Sequence, residues 1–261
     1  MTIHDNKVET KQRSRKRRGS SRYYLYFLLI LVALAGLGFG TYHLLSNVPW
    51  FNLKTVQISG NAAVPDSLIR SAAIPCLGQN LLAIPKGEIA GQVGAIARVK
   101  SVKVTPRLFS TLRVRIQERK GCLYLKSLEG DLFPVDEEGI VLEQYGAVYN
   151  ENLPILTVLL NNSALMPGEK PANTSLGRVL AVHRQIAREA ADFLPNISEY
   201  YTIDNTVYII DARDGIRLIP STKNLARQFG RYEFVRENGN VAANSILDLR
   251  FENQVVVKAG S

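Results

Sequence analysis

From Tyr23 to Leu45 the chain carries no Asp, Glu, Lys or Arg, and directly ahead of this run stand Lys11, Arg13, Arg15, Lys16, Arg17, Arg18 and Arg22. A helix needs about 20 apolar residues to cross about 30 Å of hydrocarbon, and it can do so because it satisfies its own backbone hydrogen bonds. The run therefore predicts a membrane-spanning helix. Lys and Arg favour the cytoplasmic side. Beyond the run the chain passes Ser46, Asn47, Val48 and Pro49 before its next base, Lys54. The asymmetry places the N-terminus inside and everything from about Pro49 outside the cytoplasm.

A cleaved signal peptide is the rival reading. Its apolar core spans about 7–15 residues and ends in a small-x-small site, whereas this run is longer and closes on Tyr42, His43, Leu44 and Leu45. An uncleaved anchor fits better, with Tyr23, Tyr24, Tyr26 and Trp50 as its aromatic belt. Gly36 and Gly40 form a G-x-x-x-G that would let two helices approach closely, although glycine is common in membrane helices.

The formal net charge of +9 suggests nucleic acid until it is divided along the chain. Residues 1–22 hold eight bases against Asp5 and Glu9, so +6 sits in the tail and +3 in everything else. A basic tail beside a membrane attracts anionic lipid at about 1 kcal/mol per charge. That reading needs no nucleic-acid partner. Cys76 and Cys122 lie among apolar residues and read as packed thiols, although a disulfide is chemically permitted outside the cytoplasm. His4, His43 and His183 are scattered without metal-ligand spacing, so no metal site is expected.

Past the anchor the pattern changes to strand, helix, helix, strand, strand. Val56 and Ile58 alternate with Thr55 and Gln57 and stop at Ser59-Gly60-Asn61. Pro65 and Asp66 open a helix carrying Leu68, Ile69 and Ala72. A second helix from Pro85 sets Ile89, Val93 and Ile96 on one stripe, weakened by Gly91 and Gly94 at about 1 kcal/mol each. Val102 and Val104, a turn over Pro106–Ser110, then Leu112, Val114 and Ile116 give a hairpin with one buried face.

That order, with Phe51–Asn61, the Gly78-Gln79-Asn80-Leu81-Leu82 turn, the Val99–Val104 strand and the Leu112–Arg119 close, resembles a POTRA domain and, more narrowly, the bacterial cell-division family FtsQ/DivIB. The resemblance departs at Ala97 and Arg98, where the family often has Pro-Trp, and at Lys120 and Gly121, where it often has proline. It implies an α+β chain: a basic cytoplasmic tail over 1–22, the anchor over 23–45, a β-α-α-β-β POTRA domain over 50–120, and a mixed α/β domain with an extended antiparallel sheet over 121–261.

In this second piece Asp131, Asp136, Glu137, Glu138 and Gly139 gather at turns. The calcium-loop spacing is absent, and Asp136–Val141 resembles the family's Asp-x-x-Gly turn before its Leu153-Pro154-Ile155-Leu156 segment, so a solvated turn is expected. Leu176, Val179, Leu180, His183, Ile186, Ala187 and Ala190 fall on a helical stripe, with Thr174 or Ser175 as N-cap and His183 packed or interfacial. Strands follow at Tyr200–Asp204, Thr206–Asp211 and Gly215–Ile219, then a helix at Thr222–Val235. Strands at Ile246–Phe251 and Asn253–Lys258 close the chain.

Val255, Val256 and Val257 favour a strand near the chain end, either an ordinary edge guarded by Lys258 or an edge open to strand addition. The resemblance favours the second, because it implies that the terminal strands bind FtsB- and FtsL-type coiled-coil partners. It assigns Phe251, after Asp248-Leu249-Arg250, to the family's aromatic position, leaves Ala259 where several members have tryptophan, and places basic Lys223 against this sheet. It also implies a second surface at Ser101 and Val104 that recruits other division proteins. Nucleophile elbows, P-loops, dinucleotide turns and paired His/Cys sites are not found. Neither catalytic residues nor a cofactor is expected. A POTRA-bearing envelope transport or assembly factor and a membrane-anchored wall-modifying enzyme are the alternatives.

Overall fold

The apolar run folds as one continuous helix. The computed structural model of the chain describes residues 20–46, 48–107, 110–145 and 152–258. Helix α1, Ser20–Ser46, contains a 22-residue stretch from Tyr23 to Leu44 that is long and apolar enough to cross a membrane. No part of that stretch is buried against the rest of the protein, as expected for a surface that lipid would cover. Most of the basic tail lies outside the described residues.

After a 3₁₀ turn at Pro49–Phe51, alternation takes over. Strand β1 (Thr55–Ser59), helices α2 (Asp66–Ser71) and α3 (Lys86–Gly94), and strands β2 (Val99–Arg107) and β3 (Thr111–Glu118) follow in the expected order. β3 lies in the middle, parallel to β1 and antiparallel to β2. Its Leu112, Val114 and Ile116 are buried against Val56, Ile69, Ile89 and Val93, so period-2 and helical stripes meet in one core. Gly60 has φ 90°, and a Cβ there would lie 2.0 Å from the Ile116 carbonyl oxygen, so only glycine lets the chain leave β1 this close to β3.

Three local expectations change. Leu68 is exposed, because α2 is a single short helix that turns only Ile69 fully inward. Ile96 lies beyond the end of α3 yet still packs on the core. Pro106 is not in a turn but in β2, paired with Leu112; β2 is an edge strand, where a missing N–H is tolerated.

Only Arg119 and Lys120 separate β3 from β4 (Gly121–Lys126), which pairs with β5 (Leu132–Asp136). Then come β6 (Ile155–Thr157), α4 (Thr174–Glu189), β7 (Ile197–Ile203), β8 (Thr206–Asp211), β9 (Arg217–Ile219), α5 (Leu225–Asn238), β10 (Ile246–Asp248) and β11 (Val256–Lys258). They form one eight-stranded sheet in the order β11-β10-β9-β8-β7-β6-β4-β5. The sheet is extended as expected, and it is mixed: β4/β6, β6/β7 and β9/β10 pair in parallel. Leu125, Leu156, Tyr200, Ile209, Leu218 and Leu247 form a buried row across it, each the register partner of the next.

Helices α4 and α5 cover that buried face with Leu176, Val179, Leu180 and Ile186, and with Leu225, Phe229 and Tyr232. The α4 N-cap is Asn173, whose side chain accepts the Leu176 N–H at 3.0 Å; Thr174 and Ser175 already lie inside the helix. His183 is packed, with Nδ1 2.9 Å from the Tyr200 hydroxyl, and burial lowers its pKa. Cys76 belongs to the first core and Cys122 to the second; both thiols are free and buried.

The acidic turn is not merely solvated. Asp136 is buried, and its Oδ1 accepts the N–H groups of Glu138 and Ile140 at 2.9 Å, which shapes the turn. Arg119 Nη1 then reaches Asp136 and Glu138 at 2.7 Å each, and Lys100 reaches Glu138 at 2.7 Å. These bonds join the small sheet to the large one. Asp131 is spent elsewhere, accepting from Asn162 Nδ2 at 2.6 Å.

Candidate protein-binding edge

β11 is three residues long and forms one end of the large sheet, paired among the described residues only with β10. An edge strand presents unpaired N–H and C=O groups along its free side. Val257 is the register partner of buried Leu247, so the two share a face, yet Val257 at the rim is 49% exposed. Lys258 beside it is exposed and supplies the positive charge with which natural edges are commonly guarded. Val255 precedes the strand rather than joining it, and it packs on the core, anchoring β11.

The turn from β10 to β11 is held from two sides. Asp248 is buried, and its carboxylate accepts the Arg250 N–H at 3.1 Å and the Arg250 guanidinium at 2.6 and 2.8 Å. Hydrogen bonding to Arg250 holds the Asp248 carboxyl below its ordinary pKa. The Asp-Leu-Arg triplet is thus a clip that fixes the loop. Arg231 of α5 donates to the carbonyls of Glu252 and Leu249 from the other side. Phe251 is left 45% exposed between them.

α5 positions the rest. Tyr232 donates its hydroxyl to buried Asp211 at 2.7 Å, and Arg213 bridges Asp211 to Glu233, so the helix is pinned to the turn between β8 and β9. Its start is set by Asn224 in the left-handed region at φ 53° and by Gln228, whose side chain bonds Ser221 and the Lys223 carbonyl. As a result Lys223 and Phe251 line the same depression, together with Arg227, Arg231 and Arg250. A neighbouring groove shares Arg227 and Arg231 and adds Val255 and Phe234, the latter 67% exposed.

Of the expected site residues, Phe251, Val255, Val256, Val257, Lys258 and Lys223 therefore gather at one end of the large sheet. Ser101 and Val104 do not join them. Both lie on β2, the free edge of the small sheet, but on opposite faces: Val104 packs on the core, and exposed Ser101 lies 3.3 Å from Gln117 Oε1. Ala259 lies outside the described residues. Arg227, Arg231 and Phe234 escaped the sequence reading, although their spacing of four and three on α5 is the mark of one helix face.

Residues 51–119, which hold the small sheet and its helices, match the model of the POTRA domain, FtsQ-type. This part of the chain is an FtsQ-type POTRA domain. The relatives point the same way. Cell division protein DivIB from Clostridium botulinum (strain Hall) is 23% identical over 149 residues, covering 57% of this chain and 54% of the relative. Cell division protein FtsQ from Streptomyces bingchenggensis is 26% identical over 188 residues, covering 72% and 66%. The chain thus spans about half the length of the DivIB relative. The major extracytoplasmic domain of DivIB from Geobacillus stearothermophilus aligns at 18% identity and a TM-score of 0.31, over 48% of this chain and 98% of that one, a superposition too loose to add weight. The POTRA domain and its DivIB and FtsQ relatives agree with the resemblance read from Phe51–Asn61 and Leu112–Arg119.

Proposed function

We propose that this protein is a single-pass, N-in scaffold of the bacterial division machinery in the inner membrane, acting by binding rather than catalysis. Its layout is a basic tail over 1–22, an anchor over 23–45, a POTRA domain over 50–120 and a second domain over 121–261. The observation that carries the binding mode is the short strand β11 at one end of the sheet, with Val257 exposed on it and Phe251 and Phe234 exposed beside it. An incoming strand gains main-chain hydrogen bonds along β11, and side chains beside it find the pockets that give specificity.

The charge on this surface says what kind of partner fits. Lys223, Arg227 and Arg231 line the depression at Phe251 and outnumber Glu252, while Arg250 is already paired with Asp248, so the partner segment is acidic on the side that meets α5 and apolar where it meets Phe251 and Val257. FtsB- and FtsL-type coiled-coil proteins are the candidates. The POTRA edge strand β2, through its backbone and Ser101, is the second candidate surface, serving other division proteins. Time-lapse fluorescence of an N-terminal fusion in the native host tests the reading. A band at the division plane before constriction is expected, and uniform envelope fluorescence through division overturns it.

A further inference from the structure

Beside the chain that leaves α1 lies a loop without charge. The Leu53 N–H donates to the Gln79 carbonyl, and the Gly78 and Leu81 N–H groups donate to the carbonyls of Leu53 and Phe51, all at 2.8–2.9 Å. These bonds strap the loop over residues 71–85 to the start of the POTRA domain. The loop holds no Asp, Glu, Lys or Arg. Leu81 and Cys76 fill the core, whereas Ile74, Leu77 and Leu82 are 42–55% exposed, and Trp50 beside the strap is 76% exposed.

The strand register puts cations at the same end. Thr55, Thr111 and Arg107 are cross-strand partners there, and the Lys54 N–H donates to the Ser110 carbonyl. Lys54, Arg107 and Lys86 at the start of α3 are all exposed, with Glu88 in the first turn of α3 as the acid among them. The join to the large sheet lies at the opposite end of β3, beyond Glu118. Trp50 follows Ser46, the last residue of α1, by four residues, a tether that extends at most about 14 Å. The headgroup layer on each side of a bilayer takes up about 5–8 Å of that reach.

We propose, on the reading that α1 spans the membrane, that this end of the POTRA domain rests on the adjoining bilayer face, with Trp50, Ile74, Leu77 and Leu82 in the headgroup layer and Lys54, Lys86 and Arg107 against anionic lipid. An exposed apolar patch flanked by cations suits a lipid surface, and tryptophan favours the membrane interface. The short tether holds the patch beside lipid permanently, at an effective concentration that a separate partner does not reach. A domain seated in this way stands on the membrane rather than swinging on its tether, and the eight residues of β3 lift the large sheet by up to about 25 Å.

Trp50 is the chain's single tryptophan, so lipid contact can be read from quenching by brominated phosphatidylcholine in proteoliposomes that hold the full chain and phosphatidylglycerol. Native Trp50 reports whether the anchor has inserted. Three further chains combine Trp50→Phe with Leu77→Trp, Leu82→Trp or Ala62→Trp, the last at an exposed position beside Glu118 at the far end. Quenching at 77 and 82 should exceed that at 62 at least threefold, and adding Lys54→Glu and Arg107→Glu should cut it by at least half. Quenching of Trp50 with none at 77 or 82 overturns the inference and leaves the anchor standing, whereas no quenching at any of the four positions overturns both. Equal quenching at 62 and 77, or quenching untouched by the two charge reversals, also overturns it.

Discussion

Glu143 and Arg98 hold each other twice: the Glu143 carboxylate accepts the Arg98 backbone N–H at 2.8 Å, and the Glu143 carbonyl accepts the Arg98 Nε. The other carboxylate oxygen takes the Ala97 N–H at 2.6 Å. This reciprocal latch lies at Ala97 and Arg98, the two positions at which the sequence departs from the Pro-Trp that the resemblance implies. A proline at position 97 would have no N–H to give, so the latch depends on this chain's departure from that pattern.

Glu143→Ala strips two backbone donors of their acceptor at once. At about 1–3 kcal/mol for each group left unsatisfied, the variant should lose about 2–6 kcal/mol. Thermal unfolding followed by circular dichroism should show a midpoint lower by several degrees, with Glu143→Gln, which keeps the acceptor oxygen, falling in between. An unchanged midpoint in Glu143→Ala would remove the latch from the account of stability.

Hydrogen bonds from Lys100, then from Arg119, bring the Glu138 pKa from its ordinary 4.5 down to about 2. A carboxyl depressed on folding contributes stability that is complete above its unfolded pKa and is lost as pH falls through the folded one. The join between the sheets should therefore loosen between about pH 4.5 and pH 2. Unfolding midpoints measured across that range should fall less steeply in Glu138→Gln than in the native sequence; parallel curves would rule out this carboxylate.

Val256→Pro removes one backbone donor from the edge strand and stiffens it. Because β11 touches the rest of the sheet only through β10 among the described residues, the POTRA domain should stay folded while capture of the proposed coiled-coil partners is lost. Co-purification at native levels would show that the partners dock elsewhere. Lys223→Glu is the complementary charge test, with a loss of at least tenfold in affinity expected.

Burial raises the Cys122 thiol to about 12, and thiolate is the reactive form. Cys76 is equally enclosed, in a different core. An aromatic disulfide reagent at neutral pH should label neither cysteine in the folded chain and both after denaturation. Prompt labelling of the folded protein would show that one core opens readily.

The anchor and the POTRA order were legible because both are written in local periodicity. One run lacks charge altogether, and Val56/Ile58 and Leu112/Val114/Ile116 keep strict alternation. The latch was not legible, since Glu143 meets Arg98 across 45 positions through a side-chain-to-backbone bond that no residue pattern signals. The acidic turn misled for a related reason: nothing near Asp136 and Glu138 in the sequence signals that Arg119, from the link between the sheets, and Lys100, from the small sheet, bond them. At the proposed binding edge, Val257 and Lys258 could be placed from the strand-forming run, but Val255 precedes the strand and packs on the core. Arg231 and Phe234 gain their place only through the loop that α5 holds.

The large sheet also acts as a ruler. The join to the POTRA domain sits at the β4–β5 end and the open strand at the other, seven strand spacings away in the observed order. At about 4.8 Å per spacing that is about 34 Å, or about 22 residues of α-helix at 1.5 Å each. A partner that meets β11 while another grips β2 can therefore work at arm's length from it, and lengthening the sheet by a strand would shift one meeting point without disturbing the other.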